Sequence, residues 1–308
     1  MKISVVISTY NGERYVIEQL KSIREQSREP DEVLIFDDCS TDHTVQVIEE
    51  FIQHNSLKNW KLYVNIKNKG WKKNFMDGLW IACGDLLFPC DQDDIWYPNK
   101  IKVMEEIMEK NQNIQVLTSN YDAFYSSGKL EVGPVKNDGK IIPQVLKSDI
   151  FTTPYPGCTY CIRKEIVEIS KKYWEDGFPH DALFWRLGII SGTLFTYQKS
   201  LIKWRKHDDS AYSIESVNSK NYLDKREWLT YADRVIDNLK MFEKEQKTHI
   251  TNYSKVLEKS KRWNQIRIEF YDSRNLIYWL LLIKYIRCYS RFRQYLGDFY
   301  LVYVKRGD

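Results

Sequence analysis

The chain has 308 residues, 43% of them hydrophobic and 29% charged. That is apolar enough for a core and excludes a disordered chain, and the length suits one large α/β domain with an appendage or two modest domains. The net charge of +4 does not by itself call for a polyanionic partner, but residues 255–308 hold 12 basic against 5 acidic residues together with 12 aromatics, so a mildly acidic body carries a basic, aromatic tail.

In chain order, Ile3–Ser8 is a short apolar run suited to a buried parallel strand, and Glu13–Gln26 places Val16, Ile17, Leu20 and Ile23 at helical spacing. Val33–Phe36 predicts a second strand, ending in Asp37-Asp38. Ser40 or Thr41 is then placed to cap a helix carrying Val45, Val47, Ile48 and Phe51. Leu62–Val64, Trp71–Cys83 and Leu86–Phe88 continue as strand, helix and strand, and Pro98 opens a helix running through Met108. This repeat is that of a doubly wound parallel sheet. Beyond Asn120 the rhythm fails: residues 121–156 read as an excursion over the carboxyl edge of the sheet. Strands follow at Tyr160–Ile162 and Leu194–Trp204, with helices after Arg163 and around Asp181–Ile190, and from about Ser216 the chain is almost wholly helical.

Six irregularly spaced cysteines make no secreted disulfide framework. The CxxC at Cys158–Cys161 lacks the second pair or histidine of a zinc set and reads as incidental. The first residues have no signal-peptide pattern, and the longest apolar run, Leu276 to Ile283, falls short of the roughly twenty residues a membrane span needs. A soluble protein of the reducing cytoplasm is the expectation.

Ligands of open parallel sheets bind beyond the carboxyl ends of the strands. There the sequence places Ser8-Thr9-Tyr10-Asn11, Asp37-Asp38, Asn68-Lys69-Gly70 and Asp91-Gln92-Asp93-Asp94. Three carboxylates within four residues, wedged between Leu86-Leu87-Phe88 and Ile95-Trp96, repel one another unless a cation lies among them. Carboxylate oxygens suit Mg²⁺ or Mn²⁺. No GxGxxG follows the first strand, and there is neither a GxxxxGK[ST] loop nor a GxSxG elbow, which disfavours dinucleotide, P-loop and α/β-hydrolase chemistry.

The ordered set Val5-Val6-Ile7-Ser8-Thr9-Tyr10-Asn11-Gly12, Asp37-Asp38-Cys39-Ser40-Thr41-Asp42, Asn68-Lys69-Gly70, Gly84-Asp85 and Asp91-Gln92-Asp93-Asp94-Ile95-Trp96 strongly resembles the family 2 glycosyltransferases of the GT-A fold. The resemblance weakens through Pro156-Gly157-Cys158 and His180-Asp181 and says little past His207. It implies a GT-A domain over 1–215, with a nucleotide-binding half to 120 and an acceptor half after it, and a helical region over 216–308. By that resemblance Ser8, Tyr10 and Asn11 line the base and ribose pocket, Asp38 accepts from a pyrimidine N3–H, Asp91 is the ribose-side acid of the DxD element and Asp93 its metal ligand. Asp94 is the companion acid, acting through water. Lys69 approaches the donor, or is a solvated loop lysine. Asp181, next to His180, matches the catalytic base of inverting members, against the plainer reading of an acid at a helix N-terminus. His207 is open between the Mn²⁺ or Mg²⁺ shell, the diphosphate and an ordinary surface position, and Arg205 shares that ambiguity. His43, His54 and His249 read as structural.

No QxxRW follows Asp181, so the resemblance implies addition of one or a few sugars rather than polymer extrusion. The Asp-Gln-Asp-Asp-Ile-Trp-x-Pro-x-Lys variant is similar to bacterial rhamnosyltransferases of cell-wall and capsule polysaccharides. That implies dTDP-β-L-rhamnose as donor and a lipid-linked saccharide as acceptor, with a UDP-hexose donor or a catalytically silent partner subunit as alternatives. The tail, with Tyr278–Ile283 followed by Lys284, Arg287, Arg291 and Arg293 among aromatics, suits an anionic membrane surface, or packing onto the body or a second copy in a homodimer. Nucleic acid is disfavoured, because no RNP, KH or zinc-finger pattern is present.

Overall fold

The computed structural model describes residues 1–125, 127–207, 221–246 and 253–305. Its first half contains β1 (Ile3–Thr9), α1 (Val16–Arg24), β2 (Glu32–Asp37), α2 (Thr44–His54), β3 (Trp60–Val64), α3 (Trp71–Ile81), β4 (Leu86–Asp91), β5 (Ile95–Trp96) and α4 (Lys100–Lys110). There follow β6 (Val116–Tyr125), β7 (Leu130–Val132), β8 (Ile141–Pro143), β9 (Tyr160–Arg163), α5 (Lys164–Tyr173), α6 (His180–Ile190) and β10 (Leu194–Lys206). The C-terminal helices are α7 (Tyr222–Glu245), α8 (Ser254–Ser273), α9 (Leu276–Leu281) and α10 (Phe292–Phe299). A 3₁₀ stretch, Leu282–Cys288, follows α9, and a π-helical turn, Tyr300–Val304, follows α10. Among the described residues no helix is long and apolar enough to cross a membrane.

The sheet runs β3-β2-β1-β4-β9-β6-β10-β5. Its first four strands are parallel, as the repeat predicts. The sheet as a whole is mixed, because β9 is antiparallel to both neighbours, β4 and β6. Every residue of β1 is buried, which is why its sequence is a continuous apolar run: a central parallel strand is covered on both faces. The two-residue period then sorts side chains between two cores. Ile3, Val5 and Ile7 pack with Leu20, Ile23, Ile48 and Met104 of α1, α2 and α4. Val6 joins Met76, Leu79, Ile166 and Leu183 of α3, α5 and α6, and this second core reaches Val235 and Leu239 of α7. Each such side chain contributes about 1.5–3 kcal/mol by its burial. Gly78 lets α3 lie directly on the sheet, since a Cβ there would stand 2.5 Å from Val6 Cγ1.

Two features of the sheet create the site. First, β9 pairs with β4 only at Leu86 and Leu87, so β4 continues to Asp91 with that edge open. This is also why Pro89 is tolerated in the strand. The 3₁₀ turn Gly157–Thr159 enters the gap. Second, β10 runs beside β6 with two register shifts and pairs with β5 through Ile202–Trp96 and Lys203–Ile95. That pairing carries Arg205 and His207 back over the acidic loop.

Three expectations are corrected. The α2 helix starts later than expected: its N-cap is His43, without a side-chain cap, and Asp42 accepts from Thr44 N–H at 3.0 Å, while Ser40 and Thr41 tie loops together instead. Residues 121–125, read as the start of an excursion, are strand, because β6 runs from Val116 to Tyr125. The 121–156 stretch also contains β7 and β8, which pair with β6 and β10.

Candidate active site

The loops after β1 and β2 are laced by short polar side chains. Asn11, at φ +46, donates its N–H to Ser40 Oγ (2.9 Å) and accepts from Thr41 N–H through Oδ1 (2.8 Å). Asp37 receives Thr9 Oγ1 (2.9 Å) and both the N–H and hydroxyl of Ser40 (2.8 and 2.6 Å). Asp38 is buried and accepts from Asn65 Nδ2 and from the N–H groups of Lys69 and Gly70 at 2.8–2.9 Å, which fastens the β3–α3 loop to β2. Ser8 Oγ accepts from Asn74 Nδ2 at 2.8 Å. Tyr10 is nearly half exposed at the rim. The Lys69 ammonium turns away from the edge and pairs with Asp77 of α3 at 3.2 Å, so its contribution to the loop is the backbone N–H on Asp38.

The acidic loop is organised from beneath and from β10. Asp94 is fully buried: Oδ1 accepts from Arg205 N–H at 2.9 Å, and Oδ2 has no hydrogen-bond partner. Burial, with Asp93 and Asp91 close by, pushes its carboxyl well above the usual range. Asp91 is raised to about 7 by burial, then by the charges of Asp93 and Asp181. Asp93 Oδ2 meets His207 Nε2 at 2.6 Å, and the Asp93 carbonyl accepts from Arg205 Nε at 2.6 Å. Arg205 also pairs with Glu18 and lies over the rings of Tyr15 (4.6 Å) and Phe124 (4.4 Å). Because side chains alternate along a strand, Arg205 and His207 reach the same side, and Tyr15 also flanks His207, with ring centroids 5.4 Å apart. Lys100 is buried below the loop. It donates to Cys158 O at 3.0 Å and its pKa falls to about 8 through burial.

Two donor sets are available for a cation. Ligand atoms of Asp91, Asp94 and Cys158 lie within 4.8 Å of one another, but burial holds the Cys158 thiol well above its ordinary pKa. A protonated thiol is a poor ligand for a hard cation. Asp93 and His207, touching each other and both about 16–17% exposed, offer oxygen and imidazole donors. That pair fits Mn²⁺ better than Mg²⁺, which prefers oxygen.

Opposite the acidic loop, α6 begins with His180 and Asp181. Asp181 Oδ1 accepts from Ala182 N–H at 2.7 Å, and burial raises its carboxyl against the opposing charges of Arg186 and Lys72. His180 is buried with neither ring nitrogen hydrogen-bonded. It lies 4.2 Å from the Phe75 ring, and burial drops its pKa to about 3. Gly157 is required there, since a Cβ would stand 2.2 Å from His180 Nε2.

Residues 4–169 match the profile described as "Glycosyl transferase family 2". The chain belongs to glycosyltransferase family 2. The dTDP-rhamnosyl transferase RfbG of Shigella flexneri is 37% identical over 171 residues, covering 54% of this family 2 chain and 57% of that relative. An uncharacterized glycosyltransferase of Haemophilus influenzae is 26% identical over 240 residues, or 74% of this chain and 73% of its own. The crystal structure of Staphylococcus aureus TarS 1–349 in complex with UDP-GlcNAc superposes with a TM-score of 0.64 at 20% identity, covering 99% of this chain and 92% of that one. At that identity the likeness is one of fold, and the fold is GT-A.

The structure thus brings Ser8, Tyr10, Asn11, Asp38, Asp91, Asp93, Asp94, Asp181, Arg205 and His207 of this glycosyltransferase around one edge, and turns the Lys69 side chain elsewhere. His43 is held by Glu13, with ring Nδ1 and Oε2 3.0 Å apart. His249 lies outside the described residues. Sequence reasoning missed Gln92, which exchanges hydrogen bonds with Tyr10, although Gln92 stands inside the acidic motif. It also missed Cys158, whose CxxC spacing pointed to nothing, and Lys100, which closes the Trp-x-Pro-x-Lys run.

Proposed function

We propose that this glycosyltransferase is inverting and non-processive, uses a pyrimidine nucleotide sugar, with dTDP-β-L-rhamnose first and a UDP-hexose second, and adds one or a few residues to a lipid-linked saccharide in the assembly of a bacterial surface polysaccharide. Residues 1–215 form its transferase unit and 216–308 a helical appendage. The rhamnose reading is supported by the likeness to RfbG, whose name carries that donor.

The observation that carries the reading is the seat of the α6 start beside the acidic loop: Gly157, in the turn packed on the open edge of β4, abuts His180, the neighbour of Asp181. Asp91, Tyr10 and Asn11 hold the nucleoside end, beside the Asp38-fastened loop. Asp181 takes the proton of an acceptor hydroxyl. The freed oxygen bonds to the anomeric carbon on the face opposite the diphosphate while the sugar–phosphate C–O bond breaks, its electron pair leaving with the diphosphate, so configuration inverts. Burial makes Asp181 a stronger base than an ordinary carboxylate. Asp93 and His207 are the residues that would hold Mn²⁺, which when bound supplies positive charge to the departing diphosphate. Arg205 holds the acidic loop rather than the donor.

A panel of nucleotide sugars scored by donor hydrolysis tests this. Release of dTDP or UDP from one donor well above the others, lost in Asp181→Asn with nucleotide binding retained, is the expected result. Normal transfer by Asp181→Asn overturns the base assignment, and no turnover of any donor favours a silent partner subunit.

A further inference from the structure

The C-terminal layer presents an apolar surface to solvent. On α9 and the turn after it, Leu276, Ile277, Leu280 and Ile283 are all exposed, Ile277 and Ile283 by about 60%. On α10 and the turn after it, Phe292, Leu296, Tyr300 and Val304 recur every four residues and are equally open, Phe292 by 61%. The two helices meet edge to edge. Trp279 stacks on Tyr295 at 4.6 Å and lies 4.9 Å from Phe299. Their inner sides, Leu282 on one and Tyr295, Asp298 and Val302 on the other, are buried against the body. With inner sides and shared edge used, the exposed rows join into one outward face, too long to be the scattered apolar residues of an ordinary surface.

The charges around this face decide its occupant. Between 274 and 305 the exposed ionic residues are Arg274, Lys284, Arg287, Arg291, Arg293 and Lys305, all basic. The single acid in that stretch, Asp298, is buried and held by Arg267 at 2.8 Å through both oxygens, with the hydroxyls of Tyr271 and Tyr289 also donating to it. A face that met a second copy of itself would set these cations against cations. An apolar face whose own exposed ionic residues are all cationic matches the interface of a bilayer that carries anionic headgroups.

We propose that the face formed by α9, the 282–288 turn, α10 and the turn after it docks this protein on an anionic lipid membrane, with Leu280, Ile283, Phe292 and Leu296 entering the acyl boundary and Lys284, Arg287, Arg291 and Arg293 on the headgroups. The face is joined to the reaction centre by a short path. Ser290 Oγ accepts from Thr152 Oγ1 at 2.9 Å, and the adjacent Thr153 accepts from Arg186, on the same helix as Asp181. Delivery of a lipid-linked acceptor along this path rests on the proposed function. Docking does not.

Flotation of the full chain with phosphatidylcholine vesicles, with and without phosphatidylglycerol, reads docking with no donor present, while donor hydrolysis without vesicles reads the transferase separately. The wild type is expected to float with phosphatidylglycerol vesicles and much less with phosphatidylcholine alone. Leu280→Glu/Phe292→Glu is expected to lose binding by about tenfold or more, and Arg287→Gln/Arg291→Gln to lose mainly the preference for anionic lipid. Retained donor hydrolysis shows that the variants are folded. Absence of wild-type flotation overturns the proposal, as does equal flotation of the Glu variant. A wild-type dimer in light scattering that the Glu variant splits, without any flotation, assigns the face to a second copy and overturns it too.

Discussion

Gln92 and Tyr10 exchange two hydrogen bonds: Tyr10 N–H donates to Gln92 Oε1 at 2.8 Å, and Gln92 Nε2 donates to the Tyr10 carbonyl at 3.0 Å. The acidic loop after β4 thereby fixes the backbone of the loop after β1. Gly12 belongs to the same contact, because a Cβ on it would stand 2.2 Å from Gln92 Oε1.

Gln92→Ala should therefore loosen the nucleoside end of the site without removing any group that touches the reacting carbon. The two hydrogen bonds are partly exposed and contribute about 0.5–1.5 kcal/mol each, so KM for the donor is expected to rise several-fold with kcat less affected. Gly12→Ala, which displaces Gln92, should give the same split. Steady-state kinetics of the two variants checks this, and a fall in kcat at unchanged KM would contradict it.

His180 is expected to make the protein acid-sensitive. Its folded pKa, near 3, lies below the ordinary histidine value because the ring is buried against Phe75 and Gly157. An unfolded chain binds the proton first, so the stability from the neutral ring is complete above about 6.5 and drains away as pH falls toward 3, by about 1.4 kcal/mol per unit. Thermal melts of the wild type and of His180→Leu across that window should show the steeper acid decline in the wild type. Parallel curves would remove the explanation.

Asp298 is the acid that pairs with the buried Arg267 guanidinium among the described residues, and it also takes two tyrosine hydroxyls. Asp298→Ala leaves a buried cation uncompensated and is expected to destabilise the C-terminal layer by about 3–5 kcal/mol, whereas Arg267→Met/Asp298→Leu should recover much of that loss. Denaturant titration of both variants measures it.

What could be read from the chain follows from where each residue finds its partners. Strands β1, β2 and β4 were legible because burial on both faces demands continuous apolar runs, and the acidic loop was legible because clustered carboxylates are conspicuous in any setting. Strand β6 was not read from the sequence, and Asn120 and Asp122 within it helped to hide it. These buried polar residues take Asn137, Tyr97 and Ser200 as partners, all distant in the chain, so their local pattern resembles a loop. Cys158 was hidden for the same reason: its position beside Asp91 and Asp94 depends on β9 leaving β4 after Leu87. The two readings of Lys69 stayed open in the sequence because only the fold shows that Asp77 of α3 pairs with its ammonium.

His207 and Asp93 give the sharpest test of the cation. The pair is set by β10, whose pairing with β5 brings the imidazole onto the carboxylate at 2.6 Å, and by Arg205, which grips the Asp93 carbonyl from the same strand. Imidazole suits Mn²⁺ and adds little for Mg²⁺. His207→Ala should accordingly weaken Mn²⁺ binding in titration calorimetry by at least about tenfold while leaving Mg²⁺ nearly unchanged, so that the preference between the ions shrinks. Asp93→Ala should weaken both. If His207→Ala binds the two ions as the wild type does, the imidazole is a hydrogen-bond partner of Asp93 and nothing more, and the cation must be held by carboxylates alone.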